Sequence, residues 1–279
     1  MGTKQEGYSS NQQSAPVSYQ SGGGLSDLGL HSTIDEPINS QSNERRLSPF
    51  SLQHGWTVQW TYRVPNIVKA HMTLREEQVA KSLAKIGIIG GAQLSRLFFN
   101  KNKLQMKKMI HKGYVIPHVL RDQHKEIPIY TLSPVVLNSY GGVVWKRFTV
   151  EDVLQRMLFF QLYGKFTEKE LVMIERAESE PYVGIIRRKN MRFYIGVVRG
   201  NMEEWERALR WEYESKRILL IAETLEELAP VQEMIKHRMV RVTTDHDLKM
   251  HFNEMFYQWM DGKWVREVRE DHSSIQVCE

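Results

Sequence analysis

Apolar residues recur at helical spacing three times between residues 73 and 113. Leu74, Val79, Leu83 and Ile86 share one face behind Thr73, a predicted N-cap, and Glu76 three residues on completes a capping-box pattern. Gly87, Gly90 and Gly91 mark the end of that helix. "AQLSRLFFN" predicts a second short helix, apolar at Leu94, Leu97 and Phe98. In the third, Met106, Met109 and Ile110 fall on one arc and Lys101, Lys108 and Lys112 on another, flanked by Lys103 and Lys107. Leu104 lies off the apolar arc, and Gly113 ends the helix. Alternation then replaces helical spacing. "YVIPHVL" and "IPIYTLS" predict two strands joined by the polar tip "RDQHKE". Pro117 and Pro128 lack an amide donor, so edge-like or bulged strands are expected. Upstream, "WTVQWTYRVP" predicts a short strand or lead-in.

The second half carries its own pattern. Residues 150–163 and 167–177 have helical spacing and are expected to bridge two domains. "PYVGIIRR" and "MRFYIGVVR" predict a hairpin around "KN". A helix capped by Asn201 follows, then the strand "RILLIA", a helix split by Pro230, the strand "MVRVTT", and a last helix over residues 245–260. Trp205 and Trp211 are expected to pack the Asn201 helix onto the sheet. The order β-β-α-β-α-β-α implies a mixed sheet covered by helices. Residues 1–55 are rich in Ser, Gln, Asn and Gly with sparse apolar positions. Such a segment buries too little surface to offset its conformational entropy and is expected to be a disordered tail, with "LSPFSLQHGW" the part a partner would order. The expected organisation is therefore a tail (1–55), a helix-rich domain ending in a hairpin (56–147), a helical linker (148–178) and an α/β domain (179–279).

Composition narrows the chemistry. Cys278 is the single cysteine of 279 residues, which excludes a disulfide framework and any zinc site built on several thiolates. No basic-then-apolar leader opens the chain, and no apolar run approaches the ~18 residues a membrane span needs. A cytoplasmic protein without membrane contact is the expectation. The total charge is +5. Residues 96–125 hold eight Lys/Arg against one acid, Asp122, a net +7 that leaves −2 for the rest. The basicity is thus local, and a solvated helix normally intersperses both signs.

Three helices followed by a two-stranded wing is the order of a winged helix-turn-helix, whose third helix enters the major groove of DNA. Phosphates require cations on that helix and on the wing tip. Lys101, Lys103, Lys107, Lys108 and Lys112 supply the first set; Arg121, His124 and Lys125 supply the second. Asn102, Lys103, Gln105 and Gln123 are the candidates for base edges. The expected partner is double-stranded DNA, with a second copy of the chain or replication and transfer proteins as further partners. A winged helix that contacts only protein is the alternative.

"LREEQVAKSLAKIGIIGGAQLSRLFFN", "LQMKKMIHKGYVIP" and "IPIYTLSPVVLNSYGG" together resemble the replication-relaxation family of Gram-positive plasmids and mobile elements, over about residues 73–244. The resemblance implies an N-terminal winged helix, a C-terminal nuclease-like α/β domain, and DNA binding in replication, relaxation or transfer of a mobile element, or in control of its genes. The implied second domain is similar to the restriction-endonuclease fold, whose chemistry needs a carboxylate by one hairpin strand and a carboxylate–lysine pair on the next, holding a divalent metal. The matching stretch has Pro181-Tyr182 where that family would have Pro-Asp, and Ile195, Gly196 and Val197 where it would have Glu. Residues 181–202 contain no Asp or Glu.

No catalytic residue, metal or cofactor is therefore expected. Arg187, Arg188, Lys189, Arg192 and Arg199 are expected to pair with the acidic helix that follows, or to meet phosphate. Glu203, Glu204 and Glu206 read as a solvated helix face, with Glu206 and Arg210 an i,i+4 pair. Asp245 reads as an N-cap and Asp247 as a charge near a helix dipole. A nuclease or relaxase using these displaced carboxylates is the rival reading. The ten histidines are scattered. No catalytic triad and no phosphate-binding glycine loop is visible, and Cys278 in a polar tail makes a poor nucleophile.

Overall fold

A computed structural model describes residues 47–62, 71–142, 148–211 and 215–267. Residues 1–46 and Cys278 lie outside these. The described residues form a mixed α/β fold with two sheets. Leu47–Gly55, assigned by composition to the tail, instead contains a 3-10 turn (Leu52–His54) whose Ser51 hydroxyl accepts the Gln53 amide. β1 (Thr57–Gln59) follows.

α1 (Leu74–Ile86) opens with the capping box as expected. The Glu76 carboxylate accepts the Thr73 amide at 2.8 Å and the Thr73 hydroxyl accepts the Glu76 amide at 3.3 Å. The short β2 (Ile88–Gly90), α2 (Gly91–Phe99), α3 (Lys103–His111), β3 (Val115–Arg121) and β4 (Glu126–Leu132) complete the first sheet, in the order β1-β3-β4-β2, all antiparallel. The two prolines are not on edges. Each sits where its second neighbour does not reach: β1 covers β3 only from Val119 to Arg121, and β2 covers β4 only from Ile129 to Thr131, so neither missing amide breaks a ladder. α4 (Pro134–Ser139) starts with proline in its first turn.

α5 (Val150–Thr167) is apolar on most of its circumference, the mark of a helix buried on more than one side. Val153, Leu154 and Met157 pack with Trp56 and with Ile88, Leu120 and Ile129 of the first sheet. Leu158, Phe159, Phe160 and Leu162 join the core that α1–α3 share with the second sheet. The residues expected to form a helix after it hold β5 (Met173–Glu175) instead, because α5 already ends at Thr167.

The second sheet adds β6 (Tyr182–Arg188), β7 (Met191–Val197), α6 (Met202–Trp211), β8 (Arg217–Ala222), a 3-10 turn (Glu226–Val231), α7 (Gln232–Ile235) and β9 (Val240–Thr244). Residues 245–260 do not form the expected last helix. A 3-10 turn (Asp247–Lys249) leads into a hairpin of β10 (Tyr257–Met260) and β11 (Lys263–Arg266), turned at Asp261 and Gly262 with φ of 51° and 75°. The order is β11-β10-β9-β8-β7-β6-β5, with β7, β8 and β9 parallel and the other neighbours antiparallel. One face joins the α1–α3/α5 core, and the other packs against Trp205, Leu209, Leu228 and Ile235.

Candidate nucleic-acid interface

α3 begins from an unusual turn. Asn100 and Lys101 both have positive φ (48° and 64°), folding the chain back so that the Lys101 amide donates to Ser95 O and the Asn102 amide to Phe99 O. Asn102 then caps the helix, its Oδ1 accepting the Leu104 and Gln105 amides at 3.1 and 3.2 Å. Met109 is fully buried, and Met106 and Ile110 pack partly buried beside it. The apolar arc therefore faces inward as its spacing predicts. Lys101, Lys103, Leu104, Gln105, Lys107, Lys108 and His111 are exposed.

Among the described residues, Lys101, Lys103, Lys107 and Lys108 make no ion pair, and no acid lies on α3. Lys112 is different. Its Nζ reaches both Glu76 carboxylate oxygens at 2.9 and 3.0 Å and lies 5.4 Å from the Tyr114 ring centre. Glu76 is almost wholly buried, so Lys112 compensates an interior charge rather than standing on the exposed lysine face. Asn102 is likewise committed: the oxygen a base would use already holds two backbone amides.

The β3–β4 turn follows β3, which contacts α3 and pairs with β1. Asp122 shapes the turn, its Oδ1 accepting the His124 amide at 2.7 Å and the Lys125 amide at 2.6 Å. Those bonds, led by His124, hold the Asp122 carboxyl below its usual range. Gln123, His124 and Lys125 are exposed. Arg121 pairs with Glu126 directly across the hairpin. Both side chains are more than half exposed, and such a pair contributes only ~0–1 kcal/mol, so it is readily exchanged for a stronger anion.

A residue absent from the sequence reading sits inside this hairpin. His118 is buried; its Nδ1 accepts the Thr61 amide at 3.0 Å, which leaves the proton on Nε2, 2.9 Å from the Thr131 hydroxyl. The Trp60 ring stands edge-on at 4.8 Å. Burial pushes His118 down to about 4. Its position in the alternation predicts an inward face, but its partners come from the distant segment after β1.

On the second sheet, Tyr182 stands opposite Gly196 in the β6–β7 register. The Trp205 ring lies over Gly196 so closely that a Cβ there would run into it, and Tyr182 meets Trp205 edge-on at 5.3 Å. The places where the resemblance would put carboxylates hold Tyr182 and the glycine that the Trp205 ring covers. Trp211, expected beside Trp205, is instead exposed. The arginines do not pair with the acids of α6. Arg187 binds Glu175 at 3.0 Å, Arg188 binds Glu170, and Arg192 binds Glu175 and Glu178 at 2.9 and 2.8 Å. Glu206 and Arg210 do form their own pair at 2.6 Å. Asp245 is no helix cap: it is buried, bound to Arg199 and to the Ser48 hydroxyl. Burial pushes its carboxyl up, against the opposing pull of Arg199. Asp247 binds Arg266 at 2.8 Å. Among the described residues no group of three or more His, Cys, Asp or Glu is arranged to hold a metal, and no helix is long and apolar enough to cross a membrane.

No protein-family profile, curated protein or solved structure matches this chain.

Proposed function

We propose that this chain binds double-stranded DNA through a winged helix formed by α1–α3 and the β3–β4 hairpin, with α3 as the groove-facing helix. The observation that carries the reading is the exposed, acid-free face of α3, where Lys101, Lys103, Lys107 and Lys108 have no carboxylate partner among the described residues. Four unneutralised ammonium groups within eight residues repel one another, and a duplex backbone relieves that repulsion with release of its counterions. Lys125 and His124 at the hairpin turn extend the set, and Arg121 joins it by exchanging Glu126 for phosphate. Lys103, Gln105 and Gln123 remain the side chains available for base edges, while Asn102 and Lys112 serve the fold.

The role proposed is in replication, relaxation or transfer of a mobile element, or in transcriptional control of one, without catalysis by the second sheet. Support for a nuclease-like second unit is the sequence α5-β5-β6-β7-α6-β8, three antiparallel strands followed by a helical crossover to a parallel strand. Support for its having no cutting role is the Tyr182–Gly196–Trp205 packing. A gel-shift titration with a labelled duplex tests the binding claim. Lys107→Glu with Lys108→Glu is expected to abolish the shift, and an unchanged midpoint would refute it. Incubation with supercoiled plasmid and Mg²⁺ or Mn²⁺ is expected to leave the plasmid intact.

A further inference from the structure

Where β8 and β9 begin, a pocket of about 310 Å³ opens beside the second sheet. Arg217, Lys236, Arg238, Arg241 and Gln258 supply its polar lining, and no Asp or Glu lines it among the described residues. None of these residues belongs to α3 or to the β3–β4 turn.

Each polar group there is prepared differently. Arg217 and Lys236 are exposed and make no hydrogen bond or ion pair with a described residue. Arg238 is fixed by carbonyls, donating to Leu209 O and, at 3.2 Å, to Met234 O. Arg241 is oriented by Glu267 at 2.6 Å, which itself stands outside the pocket. The Trp259 indole N–H is shielded from solvent, so Trp259 lines the pocket with its ring rather than with a donor. Four cations around one small cavity, one of them offset by Glu267, raise its potential. That potential is relieved by one anion offering several acceptor oxygens. A phosphate group has that charge and geometry, and guanidinium forks match it. The volume exceeds that of phosphate alone and falls in the range of small-ligand sites. Gln258, with the Phe193 and Trp259 rings, lines the remaining space.

We infer that this pocket binds a phosphate-bearing ligand, either a nucleoside phosphate or the backbone of a nucleic acid. Calorimetric titration of the full chain with pyrophosphate and with ADP, and anisotropy of a labelled duplex, separate the two sources. The variants are Arg217→Ala/Lys236→Ala, both at exposed positions, and Arg217→Lys, which keeps the charge and removes the guanidinium fork. A free ligand predicts pyrophosphate or ADP binding that weakens about tenfold or more in each variant. A backbone ligand predicts no small-anion binding, but weaker duplex binding and a salt slope smaller by about two in the double variant. The inference is overturned if neither small-anion nor duplex affinity responds, or if Arg217→Lys is without effect while the double variant responds, because diffuse charge would then suffice. The Lys107→Glu/Lys108→Glu chain is expected to keep ADP binding unchanged, so failure at α3 and failure at this pocket are told apart.

Discussion

Glu76 joins three things at once: the cap of α1, the side chain of Lys112, and the buried layer between α1 and α3. Removing its cation leaves an interior carboxylate without compensation. Lys112→Ala is therefore expected to lower unfolding free energy by about 1–3 kcal/mol in urea titration, with duplex affinity of the folded protein unchanged. Loss of affinity equal to that of the Lys107 variants would place Lys112 on the binding face instead. His118 makes a second prediction at this scale. Its folded value, about 4, lies below the usual 6.5, so the unfolded chain takes up the proton first as pH falls. The stability it contributes is complete above pH 6.5 and is lost between there and pH 4, on the order of 3 kcal/mol in all. Thermal melts across that window are expected to show a slope that His118→Gln flattens. An identical slope in the variant would assign the titration to other groups.

At the scale of elements, the Tyr182–Gly196–Trp205 contact decides what the β6–β7 hairpin can carry. Gly196→Ala places a methyl group against the Trp205 ring, and a destabilisation of about 3 kcal/mol or more is expected from denaturant titration. A neutral result would mean the ring moves aside freely and that the position accepts a side chain. The elements legible in the sequence were those whose signals are local. Thr73 and Glu76 announced α1 within four residues, and the arc of Met106, Met109 and Ile110 oriented α3. β5 and the β10–β11 hairpin were not read. Met250, Phe252, Met255 and Phe256 mimic helical spacing because they pack around α5 from an irregular segment. Asp261-Gly262 is itself a hairpin signal, and it lies just past the predicted helix over residues 245–260. Pairing partners were harder still. Arg187, Arg188 and Arg192 find their acids on or near β5, and Arg199 finds Asp245 about fifty residues on, contacts that only the folded sheet creates.

For the molecule as a whole, α5 and the stretch from Ser48 to Gln59 tie the two sheets together. α5 lends one side to the core behind the β3–β4 hairpin and the other to the core over β6–β9. Ser48 binds Asp245 at the end of β9, while Thr57–Gln59 extends the first sheet along β3. The lysine face of α3 is thus presented from a braced platform, and its four exposed lysines pair with no acid among the described residues. That unpaired charge has a quantitative consequence for binding to DNA. Five cations without carboxylate partners among the described residues, the four on or beside α3 and Lys125, give a slope of log affinity against log salt of about −4 to −5 on B-form DNA. The direct measurement is fluorescence anisotropy of a labelled duplex at several salt concentrations. A slope in that range, reduced in magnitude by about two in Lys107→Ala/Lys108→Ala, is the result predicted. A slope near zero, or one that the paired substitution leaves unchanged, would contradict the account.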